Sequence, residues 1–141
     1  MSSTIFLPDP SDLIIGYSGP LFTKQRAWSI LCWVKLKNYR PSACILGCDK
    51  NIPRQTFQLL IKYGRPTIKL GADEFSHSGT IPLNQWTCLA FVVNGANNYA
   101  VQVSLFLNGI KEVANATNAP ASGNHPIYLS RFEGGNGLDG K

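Results

Sequence analysis

The chain has 141 residues, 44% of them hydrophobic and only 15% charged; that is one domain's length, and the composition excludes a disordered chain and favours a β-rich globular one. Thirteen Lys and Arg stand against eight Asp and Glu, a net charge of +5, but the bases are scattered singly or in pairs, which argues against a nucleic-acid footprint and for a solvated, mildly basic surface. No apolar run approaches the roughly 20 residues needed to span a bilayer, and residues 1–10 (MSSTIFLPDP) lack the basic and apolar regions of a secretory signal.

Pro8, Pro10, Gly16, Gly19 and Pro20 surround residues 13–17, so residues 1–20 read as a lead-in arm carrying one short strand. Residues 27–37 (AWSILCWVKLK) alternate with a period of two. Trp28, Ile30, Cys32, Val34 and Leu36 share one face; Ser29, Leu31, Trp33, Lys35 and Lys37 share the other. Residues 44–48 form a short strand and 49–53 a loop. Residues 57–63 (FQLLIKY) and 67–72 (TIKLGA) flank Gly64-Arg65-Pro66, an expected hairpin turn. Residues 73–84 read as polar and irregular.

The clearest signal runs over residues 86–114: WTCLAFVV, a polar NGANNYA loop, VQVSLFL, NG, then IKEVA. Val101, Val103, Leu105 and Leu107 alternate with Gln102, Ser104, Phe106 and Asn108, as on a strand with one core face. Asn108-Gly109 supplies the positive φ angles of a two-residue type I′ turn. Residues 115–126 form a polar loop, 127–131 (IYLSR) a last short strand, and GGNGLDGK a glycine-rich tail. No segment sustains a helical period. Short strands punctuated by Gly, Pro and Asn predict an all-β sandwich or barrel.

Cys44 and Cys48 fall in one extended segment, roughly 13 Å apart, while a disulfide needs Cα atoms within about 7 Å. There is no CxxC pair, and two histidines do not complete a spaced zinc site.

Several phrases stand in a familiar order. WSILCWVKLK (28–37), Ile45-Leu46-Gly47, Phe57-Gln58-Leu59, PLNQWT (82–87), LFLNG (105–109) and IYLSR with Gly134-Gly135 and LDGK (138–141) resemble the successive strands of laminin-G-like domains. The resemblance covers about residues 22–141 and implies a single concanavalin A-like jelly roll. That family holds lectins, pentraxins, adhesion modules and some glucanases. Its members continue past the LDGK position with a further strand, whereas this chain stops at Lys141. The expected fold is therefore an all-β, antiparallel two-sheet jelly-roll sandwich, with its final strand the open point: either the chain is truncated, or the N-terminal arm or a strand donated by another copy fills the gap.

The family register, carried over, sets Leu31 opposite Ala90, Cys32 opposite Leu89 and Trp33 opposite Cys88. Cys32 and Cys88 then point to opposite faces and form no bridge. Four free thiols favour a reducing compartment, the family resemblance an extracellular one, and the localisation stays open. Ile30, Cys32, Val34, Thr87, Leu89, Phe91 and Val93 take the inner face. Leu31, Trp33, Trp86, Cys88, Ala90 and Val92 take the outer one, with Gln102, Ser104 and Phe106 nearby. That outer face is too apolar to stay bare; the arm, a rim loop, a second subunit or a ligand is expected to cover it. Trp33 offers a flat stacking surface to a sugar and Gln102 a partner for its hydroxyls, with Ser104 and Phe106 beside them.

Chemistry is harder to find. Glycosidases need two carboxylates about 5–10 Å apart. The ExDxE pattern of related glucanases is missing, Asp73 and Glu74 are adjacent and point apart if extended, and Glu112 and Glu133 are isolated. His77, in FSHSG, reads as a solvated loop residue and His125 as a turn residue. The resemblance also implies calcium at rim loops, for which Asp49, Asn51, Asp73, Asn136 and Asp139 are the candidate ligands. Galectin HxNPR and WxxExR patterns are absent. Asn115-Ala116-Thr117 is a glycosylation sequon, meaningful in a secreted chain. The expected function is a non-enzymatic recognition or adhesion module binding carbohydrate or a protein surface. The alternative is a structural subunit of a homo-oligomeric ring, filament or particle coat, assembled through the apolar outer face and the open edge.

Overall fold

The computed structural model describes residues 13–17, 27–47, 57–94, 101–116 and 126–129. They form ten strands: β1 (Leu13–Tyr17), β2 (Trp28–Val34), β3 (Ala43–Gly47), β4 (Phe57–Lys62), β5 (Arg65–Leu70), β6 (Asp73–Ser76), β7 (Thr87–Asn94), β8 (Val101–Leu107), β9 (Ile110–Ala116) and β10 (Pro126–Leu129). No helix occurs among the described residues. The strands make two antiparallel sheets, one of six in the order β1-β10-β3-β4-β5-β6 and one of four in the order β2-β7-β8-β9. This is the expected jelly-roll sandwich.

The core lies between the sheets. From the four-stranded side it takes Leu89, Phe91 and Val93 of β7 and Val101, Val103, Leu105 and Leu107 of β8. From the six-stranded side it takes Phe57, Leu59 and Ile61 of β4 and Ile68 and Leu70 of β5. Alternation alone selects these residues: every second side chain of each strand crosses into the core. On β3 and β4 both faces are buried, since Cys44, Gln58 and Leu60 are as sheltered as their core-facing neighbours.

The register of β2 on β7 is the expected one: Leu31 faces Ala90, Cys32 faces Leu89 and Trp33 faces Cys88. Cys32 packs against the core, Cys88 points the other way, and no disulfide joins them; Cys48 lies outside the described residues. The arm's one strand, β1, pairs with β10, Leu13 against Leu129 and Tyr17 against Pro126. It therefore extends the six-stranded sheet, and among the described residues β2 pairs with β7 alone.

Three expectations are corrected. The β4–β5 hairpin turns at Tyr63 and Gly64, with φ of 48° and 80°, rather than at residues 64–66. Arg65 and Pro66 are already ladder residues, opposite Lys62 and Ile61. Residues 73–76 are not irregular but form β6, with Phe75 opposite Ile68 and Glu74 opposite Lys69. Finally, His77 is buried, at 2% exposure.

Candidate ligand-binding face

The outer face of the four-stranded sheet is a grid whose rows follow from strand pairing. One row runs Leu31, Ala90, Phe106, Lys111; the next runs Ser29, Val92, Ser104, Val113. Beyond them Trp33 faces Cys88 at one end, and Asn94, Gln102 and Asn115 form the last row at the other. Leu31 is 66% exposed, Trp33 59% and Val113 51%. Large apolar side chains this open, on adjacent rows of one sheet, form a patch rather than isolated exceptions. Lys111 lies over the Phe106 ring, 5.9 Å from its centre, a cation–π contact worth about 0.5–1 kcal/mol at an exposed site.

The four candidate ligand residues share this face but are not one cluster. Trp33 is level with Cys88 and Gln102 with Asn94. Those positions are six residues apart on β7, or about 20 Å at about 3.3 Å per residue. Phe106, level with Ala90, is nearer to Trp33, about 12 Å by the same spacings. Ser104 is only 6% exposed, so its hydroxyl offers little to a ligand. Val113, beside it, is a more accessible face residue that the sequence reading passed over; its alternation on β9 was the available signal.

The turns at one end of the sandwich hold the β8–β9 hairpin in place. At the β8–β9 turn Asn108 and Gly109 have φ of 47° and 84°, the pair of left-handed residues that a type I′ turn requires. From there the Asn108 carboxamide accepts the Cys88 N–H at 2.9 Å, and the Asn108 N–H donates to the Cys88 carbonyl at 2.9 Å. His77 reaches the next hairpin residue, its Nε2 lying 3.0 Å from the Ile110 carbonyl, while Gly79 N–H donates to its Nδ1 at 2.9 Å. The acceptor role of Nδ1 assigns the proton to Nε2, which donates. A Cβ on Gly79 would sit 2.8 Å from a terminal methyl of Leu107, which would have to shift to admit a larger residue. Tyr39 closes the far side by donating to the Ile81 carbonyl at 2.8 Å.

Glu112 of β9 accepts the Ser78 N–H at 2.8 Å and also binds the Ser78 hydroxyl. The Ser78 side-chain bond, then its backbone bond, hold the Glu112 carboxyl below its usual range. A depressed folded-state value means stability that is present above the unfolded value and lost as pH falls through the folded one. We therefore expect Glu112→Gln to melt below the parent at neutral pH and to match it once both are at strongly acidic pH. Thermal melts across a pH series check this; a gap that persists at the acid end would contradict it.

The remaining titratable groups do not assemble a reactive site among the described residues. Burial, with a smaller contribution from nearby Cys88, pushes the Cys32 thiol up to about 11, so it stays protonated near neutrality and is a poor nucleophile. Glu74 is bound to Lys62 at 2.6 Å. Asp73 opens β6 opposite Leu70, and no group of three His, Cys, Asp or Glu that could hold a metal occurs among the described residues. The other calcium candidates, Asp49, Asn51, Asn136 and Asp139, lie outside the described residues, as does His125. No helix among the described residues is long and apolar enough to cross a membrane.

Comparison with known proteins adds one finding. The Laminin_G_3 family model, described as the concanavalin A-like lectin/glucanases superfamily, matches residues 10–141. No curated protein matches the chain.

Proposed function

The chain belongs to the concanavalin A-like lectin/glucanases superfamily, and from that membership we propose that it is a non-enzymatic recognition module binding carbohydrate or a protein surface on the outer face of its four-stranded sheet. The observation that carries this is the apolar patch of exposed Leu31, Trp33 and Val113 with half-buried Phe106 between them. Leaving it in water costs about 25 cal/mol for each Å² of apolar area that a ligand would otherwise cover. The patch supplies flat apolar contact at Trp33 and Phe106 and amide hydrogen-bonding groups at Gln102, Asn94 and Asn115. These ends are about 20 Å apart, which suits an extended ligand, either an oligosaccharide or the face of a partner protein, better than a single sugar ring. The engaged states of Glu74 and Glu112 support leaving hydrolysis out of the reading.

A glycan array probed with and without calcium tests the carbohydrate form of this proposal. Binding should appear, and Trp33→Ala should weaken it about two- to twelvefold, the loss of one stacking contact of about 0.5–1.5 kcal/mol, with an unchanged melting temperature. Silence under both conditions would sink the carbohydrate reading. A second reading, a subunit of a homo-oligomeric ring, filament or particle coat, draws on a different observation: among the described residues β2 pairs with β7 alone.

A further inference from the structure

We propose that the ligand of this face is an acidic oligosaccharide, with carboxylate or sulfate groups on more than one sugar, gripped directly by the ammonium groups of Lys35 and Lys111 on either side of the aromatic patch. This deepens the recognition reading and rests on it.

The first argument is charge. Among the described residues, every outward side chain of β2, β7, β8 and β9 is neutral or basic. The one acid in these strands, Glu112, stands opposite inward-facing Leu105 and is engaged by Ser78. Lys111 stands opposite Phe106, and its ammonium lies over that ring, so the cation sits on the face itself. Lys35 continues β2. Val34 and Leu36 on either side of it both enter the core, so Lys35 turns outward on the side of Trp33. An apolar patch flanked by cations alone is complementary to an anion with flat apolar surfaces.

The second argument is spacing. Lys111 is three strands across from Leu31, about 14 Å, and Lys35 is four residues along from Leu31, about 13 Å. The two backbone positions are therefore about 19 Å apart on the diagonal, with Trp33, Ala90 and Phe106 between them. That is too far for one sugar to meet both, and it suits a chain with repeated acid groups whose rings stack on Trp33 and Phe106. The third argument favours a sugar over an acidic peptide. The main-chain N–H and C=O groups of β7 and β8 are used in their ladders, so this face gives a peptide no strand to extend. The amides of Asn94, Gln102 and Asn115 answer hydroxyls instead.

Isothermal titration calorimetry on the full chain, with oligogalacturonate, its neutral methyl ester, a sulfated oligosaccharide and polyglutamate, each with calcium and with chelator, tests this. At least one acidic glycan should bind several-fold more tightly than the neutral ester, more weakly as salt rises, and equally well with chelator. Lys35→Gln and Lys111→Gln should each weaken that binding about two- to fivefold, as expected for an exposed ion pair, and leave the neutral ester and the melting temperature unchanged. Trp33→Ala should weaken acidic and neutral ligands alike. Equal affinity for acidic and neutral glycans, or indifference to both lysine substitutions, would overturn the acid grip and leave the recognition reading standing. Polyglutamate binding as tightly as the glycans, or loss of binding with chelator, would also overturn this inference. Silence toward all four probes would overturn it together with the carbohydrate reading.

Discussion

Truncating Phe91 to alanine is expected to cost about 3–5 kcal/mol of folding stability, which for a chain of this size is a melting temperature lower by roughly 10–15 °C. Phe91 is completely buried at the middle of β7. It stands between Ile30 of β2 and Leu105 of β8 on the inner face of the four-stranded sheet. The rigid ladders on both sides stop the hole from collapsing, so the lost transfer energy and the cavity add. Urea unfolding with an unchanged slope checks the value. Its outer-face contrast is Leu31→Ala, which at 66% exposure should change stability by no more than about 0.5 kcal/mol. Equal losses at the two positions would mean that the faces of this sheet have been assigned the wrong way round.

His77→Ala carries the second large effect, about 2–4 kcal/mol. The imidazole of His77 joins two backbone groups far apart in sequence, accepting from Gly79 N–H and donating to the carbonyl of Ile110, 33 residues on from the histidine. Alanine leaves both without their partner in a place where the side chain itself is 2% exposed. Each orphaned group costs about 1–3 kcal/mol when water cannot replace the bond. Asparagine, whose carboxamide both donates and accepts, should recover part of the loss. Hydrogen exchange localises the effect, since the Gly79 amide should lose protection in His77→Ala ahead of the β7 and β8 amides. A neutral His77→Ala would show that the ring fills space without holding the hairpin.

The parts of the fold legible in the sequence were those where one physical signal dominated. Strands β2, β7 and β8 alternate cleanly because one face of each is core, and Asn108-Gly109 is the side-chain chemistry of a left-handed turn. The β2–β7 register was readable because the phrases around Trp28 and Trp86 match a family whose strands sit in that order. β6 was not readable: Asp73-Glu74-Phe75-Ser76 is polar and short, and it becomes a strand by pairing with β5, an influence that local sequence does not carry. Gly64-Arg65-Pro66 misled for a related reason. Proline suggests a turn, yet Pro66 keeps a carbonyl that accepts the His77 N–H at 2.9 Å, and the turn needs only the positive φ of Tyr63 and Gly64.

The candidate face was legible as a face and not as a site. Alternation put Trp33, Gln102, Ser104 and Phe106 on one side, but their mutual distances depend on register across three strands. That register spreads them over the length of the sheet and leaves Ser104 buried between Val92 and Val113. His77 was missed because a histidine among serines and glycine looks solvated; it is buried, and its ring bonds to Ile110 of a hairpin some thirty residues later, which local sequence does not show.

The most direct test of where this protein meets its ligand is a two-dimensional amide and methyl NMR titration with the glycan giving the strongest array signal. Shift changes concentrated on Leu31, Trp33, Ala90, Phe106 and Val113 are the predicted result. Changes confined to the six-stranded sheet or to the loops at the ends of the sandwich, with those five residues silent, would contradict the account.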